Sequence, residues 1–150
     1  MKYYAVIDTN VLVSAMLKWT SIPGNIMELT FSGTVVPLLN EQIVEEYREV
    51  LGRSKFHLTN EIIDSVVDEI ERLGIYVDAD ELDLVFPDPK DRVFYEVVME
   101  ERKSEDAYPV TGNIKHFPVK PYVVTPRQMM DIIIGNEEET DCYRQAKSIL

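Results

Sequence analysis

Short apolar runs alternating with longer amphipathic stretches constrain this chain most. The runs 3-YYAVI-7, 34-TVVPLL-39, 75-IYVD-78, 107-AYPVT-111 and 121-PYVVT-125 read as strands. Helical stretches lie between most of them. In 60-NEIIDSVVDEIERLG-74, Ile62, Ile63, Val66, Val67, Ile70 and Leu73 recur at helical spacing and Gly74 closes the run. A first helix is predicted from near Val11 with Asn10 as its cap. A second covers Ile22 to Ser32, with Pro23 in its first turn and Gly33 just past its end. Asn40 caps a third over 41-EQIVEEYREVLGR-53. Further helices are predicted from about Asp91 to Lys103, and from Pro126 through Met129, Met130, Ile133 and Ile134. This alternation indicates an α/β fold, a parallel sheet with helices on both faces. No long polar or Gly/Ser-rich stretch divides residues 1–150, so one domain is expected. Residues from about 136 to 150 form a charged C-terminal tail, with room for one more short helix.

Parallel sheets bind ligands beyond the carboxyl ends of their strands. Asp8 sits at that place, directly after 3-YYAVI-7, and Asn113 lies just beyond 107-AYPVT-111. A buried carboxylate is costly unless a positive group sits beside it. The net charge of −12, from 27 acids and 15 bases, argues against a protein that holds nucleic acid by a broad basic surface. It fits a cation site, a basic partner or plain solubility. The one cysteine, Cys142, rules out an internal disulfide, and no CxxC pair offers zinc ligands. An acid by residue 8 interrupts any signal-peptide core, and no apolar run approaches the roughly 18 residues of a membrane span. A cytoplasmic, reduced, soluble protein with no membrane partner is expected.

Three more places hold acids or turn residues that can face the same end of the sheet. Ile43, Val44, Tyr47, Val50 and Leu51 define the apolar face of the third helix, and Glu46 falls on its shoulder. On pattern alone, a ligand position and a solvated helix edge are equally open for it. In 87-PDPKDRVFYEVV-98, Asp91 lies at the mouth of a helix, where the macrodipole alone explains a carboxylate. Asp88 can fill the cap instead, leaving Asp91 to face the cleft. In 110-VTGNIKHFP-118, Gly112 and Asn113 suit a tight turn as readily as a site. Together these groups converge on one end of the sheet, and crowded carboxylates repel one another unless a cation compensates. Oxygen-only ligands suit Mg²⁺ or Mn²⁺.

The order 7-IDTN-10, 43-IVEEYREVLGRSKF-56, 87-PDPKDRVF-94, 110-VTGNIKHFP-118 resembles the PIN-domain family. More narrowly, it resembles the branch assigned as toxin components of toxin–antitoxin systems. The resemblance implies a three-layer α/β/α fold with a central parallel sheet of about five strands. It also implies a metal-dependent ribonuclease that hydrolyses phosphodiester bonds of single-stranded RNA in line, leaving a 5′-phosphate. Carried over position by position, it places the metal and the catalysis on Asp8, Glu46 and Asp91, with Asp88 a further or outer ligand. Thr9 and Asn10 would support Asp8 by hydrogen bonds, and Thr111 would hold a water of the ion. The family's fourth acid falls on Asn113, which removes one negative charge and makes one metal better supported than two. Lys115 and His116 are candidate substrate-phosphate contacts, with Lys120 and Arg127 completing a basic rim. The resemblance also implies an antitoxin protein as partner and a homodimer, for which Met129 and Ile133 offer either a dimer face or core packing.

Two rival readings remain open. An aspartyl phosphotransferase would use Asp8 as nucleophile, but that chemistry wants an acid where Asn10 stands. A catalytically silent PIN module, acting as a binding or assembly partner, is compatible with Asn113 and the acidic surface.

Overall fold

A computed structural model describes residues 1–149, with side chains described through Glu138. Cys142 and the side chains of the expected tail from residue 139 onward lie outside the described residues. The chain begins with β1 (Tyr3–Ile7), α1 (Thr9–Leu17), α2 (Ile22–Phe31) and β2 (Val35–Leu39). It continues through α3 (Glu41–Leu51), α4 (Asn60–Leu73) and β3 (Ile75–Tyr76). It ends with α5 (Pro89–Glu101), β4 (Ala107–Val110) and α6 (Pro126–Ile149). Short 3-10 turns fall at Ser54–Phe56 and Ile114–His116.

The described sheet has four strands in the order β3-β2-β1-β4, and every described pair is parallel. Tyr3, Ala5 and Ile7 on one face of β1 are buried, and so is Val6 on the other. All five residues of β2 are buried too. Burial on both faces is what near-continuous apolar strands imply, because helices must cover each side. Here α2 and α4 pack on β2, while α5 packs on β1 and β4.

The expected fifth strand is a correction. Of 121-PYVVT-125, Val124 alone forms a bridge, to Val110, through Val124 N to Pro109 O at 3.1 Å and Thr111 N to Val124 O at 2.9 Å. A turn closed by Val123 N on Lys120 O takes up Pro121 and Tyr122, and Pro126 opens α6 one residue after Thr125. Too little chain remains for a strand.

The local signals place most helix starts. Asn40 Oδ1 accepts the Ile43 amide at 2.9 Å, and Asp88 Oδ1 accepts the Lys90 amide at 3.0 Å. Each satisfies an amide that the first helical turn leaves free. Asp88 is therefore the cap of α5, which starts at Pro89 rather than Asp91 and leaves Asp91 within its first turn. The first helix likewise starts earlier than expected, at Thr9, with Asp8 rather than Asn10 in the cap position. At Gly33 the backbone turns left-handed, φ 90°, which glycine adopts without Cβ strain. The last helix runs unbroken from Pro126 to Ile149, so the expected separate short helix does not form.

Met129 (0% exposed) and Ile133 (1%) lie in the core, so the surface on which a dimer face was considered is absent there. No described helix is long and apolar enough to cross a membrane.

One buried acid had no counterpart in the sequence reading. Glu96 on α5 accepts the Leu82 amide at 2.6 Å and so ties the acidic loop 77–87 to the helix. Replacing Glu96 by Ala strands that amide and is expected to cost about 1–3 kcal/mol. Urea unfolding measures the loss, with faster hydrogen exchange at Leu82 as its local sign. An unchanged midpoint would show that the loop is held by its apolar contacts alone.

Candidate active site

The parallel register sets Ile7 beside Val110, so Asp8 and Thr111 leave the sheet side by side. The sequence places β2 on one side of β1 and β4 on the other, and this change of winding opens a crevice at their carboxyl ends. Asp8 stands in that crevice and is 7% exposed. Its side chain makes no capping bond to α1, because Oδ2 accepts from Thr111 Oγ1 at 2.6 Å. Burial pushes the Asp8 carboxyl above the usual carboxylate range. The Thr111 hydroxyl, the amides of Thr9 and Asn10, and the nearby His116 pull it partly back.

Thr111 is 0% exposed, and its hydroxyl is held between Asp8 and the Asn113 amide, which donates to it at 2.9 Å. That hydroxyl positions the Asp8 carboxylate. Thr9 supports Asp8 through its backbone amide, while its hydroxyl donates to Glu46 Oε2. The Asn10 side chain is exposed, and its support of Asp8 comes through the backbone.

Glu46 reaches the site from α3. Burial raises its carboxyl, and the charges of Asp8 and Asp88 raise it further, against the Thr9 hydroxyl and Lys90. The next residue, Tyr47, is buried and donates its hydroxyl to Ile7 O. Burial pushes this phenol well up, so it stays a neutral donor. Consecutive residues of α3 thus grip the β1–α1 corner on either side of Asp8. Tyr47→Phe keeps the ring and removes the hydroxyl. It is expected to cost about 1 kcal/mol by urea unfolding, and no loss would mean that Ile7 O is satisfied without it.

Asp91 faces the same crevice from the first turn of α5. Its carboxyl is pushed up to about 6, first by burial and then by the charges of Asp8, Asp88 and Glu46. His116 opposes that shift, with Nδ1 at 3.4 Å from Asp91 Oδ2. Asp8, Glu46, Asp88 and Asp91 are therefore brought within electrostatic reach of one another, as the sequence suggested. Lys115, Lys120 and Arg127 are exposed, and their side chains make no hydrogen bond or ion pair with a described residue. Lys90 was missed, although its place beside Asp91 in 87-PDPKDRVF-94 marked it.

Four carboxylates on oxygen-only donors, opposed by one imidazole and one lysine, fit a hard divalent cation by type and by charge. Among the described residues, no three His, Cys, Asp or Glu side chains cluster tightly enough to hold an ion. One oxygen of Glu46 is engaged by Thr9, and one of Asp88 by the Lys90 amide.

Residues 4–115 match the family described as PIN domain. The chain belongs to the PIN-domain family. The match spans Asp8, Glu46, Asp88, Asp91, Thr111 and Asn113 and ends just before His116. PIN domains are generally nucleases that use divalent metal ions. No curated protein matches the chain.

Proposed function

We propose that this PIN domain is a Mg²⁺- or Mn²⁺-dependent endoribonuclease acting on single-stranded RNA. The observation that carries the reading is the convergence of Asp8, Glu46 and Asp91, all with raised carboxyl pKa values, on one crevice of the sheet. Like charges held together at a cost to the fold need a function that uses them. Asp8, Glu46 and Asp91 would hold the ion, with Asp88 beside them. When bound there, a divalent cation supplies neutralisation of phosphate charge and a water of lowered pKa.

The chain's own residues do the rest. Thr111 fixes the Asp8 carboxylate, Thr9 fixes Glu46, and Tyr47 locks α3 to the strand that bears Asp8. The exposed Lys115 supplies positive charge at the rim for the substrate phosphates, with the His116 imidazole beside it. The net charge of −12 supports a single strand over a duplex, whose backbone would need a broad basic face. The toxin role, an antitoxin partner and a homodimer rest on the resemblance in the four motifs, and a cytoplasmic location on the single cysteine and the acid at residue 8.

The test is cleavage of labelled single-stranded RNA with Mn²⁺, with Mg²⁺ and with EDTA, beside Asp8→Asn. Metal-dependent cleavage lost in the variant supports the reading, and no cleavage with either ion overturns it. A second reading, a silent PIN module, is favoured by Asn113 in the fourth acid's place. Calorimetry separates the two: a silent module takes up no Mn²⁺, and its titration is unchanged by Asp8→Asn.

A further inference from the structure

We propose that the cleft between α3 and α5 is a nucleobase subsite that prefers guanine. This inference rests on the ribonuclease reading and names where the base next to the cut phosphate goes. The cleft encloses about 440 Å³, a size suited to one nucleotide. It is lined by Gln42, Glu45 and Glu46 from α3 and by Lys90, Val93 and Phe94 from α5. Glu46 belongs to both the cleft and the acid cluster, so a chain whose phosphate lies on Asp8 and Asp91 has its neighbouring base at this opening.

The chemistry of the lining selects the occupant. Glu49 is engaged by Arg53 at 3.3 Å, and Glu46 by Thr9. The side chains of Glu45 and Gln42, one helical turn apart, make no hydrogen bond or ion pair with a described residue. A carboxylate only accepts hydrogen bonds. Guanine offers adjacent N1–H and N2–H donors that match its two oxygens, while adenine and cytosine offer one amino group. Uracil presents two carbonyl oxygens around one N–H and is repelled. An apolar lining with an aromatic edge suits the face of any base. The glutamates disfavour a phosphate within the cleft. The rival occupant, a basic peptide segment, fits the glutamates but meets Lys90 in the lining.

The test is fluorescence anisotropy of labelled UUGUU, UUAUU, UUCUU and UUUUU RNAs on Asp8→Asn protein, with and without Glu45→Gln. Cut sites of wild type on mixed-sequence RNA with Mn²⁺ are mapped in parallel. UUGUU is expected to bind about tenfold tighter than UUUUU, with the difference lost in Glu45→Gln and the cuts clustered beside G. Glu45 is exposed, and a thermal melt verifies that the variant folds. Equal binding of all four RNAs, or a G preference that survives Glu45→Gln, overturns the subsite. Binding of a labelled oligo-arginine peptide, with no selective RNA binding, overturns it in favour of a peptide groove. Even cutting with respect to base removes the subsite and leaves the nuclease. Selective binding without cleavage removes the nuclease and leaves the subsite.

Discussion

Asp8→Asn is expected to lower RNA cleavage by more than about 100-fold while raising the melting temperature of the metal-free protein. The two effects share one cause. Asp8 is buried, its carboxyl pKa is raised by that burial, and Glu46 and Asp91 are raised in part by its charge. The fold therefore carries a carboxylate that it would hold more cheaply uncharged. Asn preserves size, and its Oδ1 can still accept from Thr111, so the native packing survives. The charge that an ion would meet does not. Residues that merely orient ligands contribute roughly 10–100-fold, and a direct ligand should exceed that range. Differential scanning calorimetry in EDTA, paired with the cleavage assay, reads both effects. A variant that loses activity and also melts lower would show that Asp8 is held by contacts its charge strengthens, contrary to the electrostatics here. Function at a cost to stability is the usual state of such sites.

The metal-free protein is also expected to lose stability as pH rises from about 4 to about 6. The folded state holds the Asp91 proton up to about 6, whereas the unfolded chain releases it near 3.8. Between those values the native state binds more protons, so stability falls with rising pH. Above about 6 the penalty is fully present. Screening at the cleft mouth brings it to the order of 1–2 kcal/mol, a few degrees in melting temperature for a chain of this size. The quantity to measure is the melting temperature of wild type minus that of Asp91→Asn, in EDTA, across this window. That difference should decline with pH and recover when Mn²⁺ is added at pH 7. A difference that is flat or rises would mean that His116 outweighs the three carboxylates around Asp91.

Where the sequence was legible, the reason is that the information was local. Asn40 and Asp88 as caps, Gly33 at its turn, and Glu46 on the shoulder of α3 all follow from neighbours within four residues. The strand that ends in Asp8 was equally plain, since no helix surface explains five apolar residues stopped by an acid. What was not legible depended on distant partners. The Thr9 amide serves the acid beside it, but the packing of α3 on α1 gives its hydroxyl to Glu46. The register of β4 on β1 places Thr111 against Asp8. The expected fifth strand does not form, because Pro121 and Pro126 together leave Val124 as its one bridge residue. Gln42 and Glu45 could not be singled out on α3, for their cleft exists only where α5 lies against that helix.

The bond from Thr111 to Asp8 spans 103 positions of sequence. Protein synthesis runs from the amino end, so Asp8 emerges early and waits for its support. Until residue 111 has been added, no β4 exists to pair with β1, and the buried setting of the first acid is not yet built. An enzyme of the proposed kind is made on a strand of its own potential substrate. The buried setting of Asp8 is therefore completed only when β4 pairs with β1, late in the synthesis of the chain.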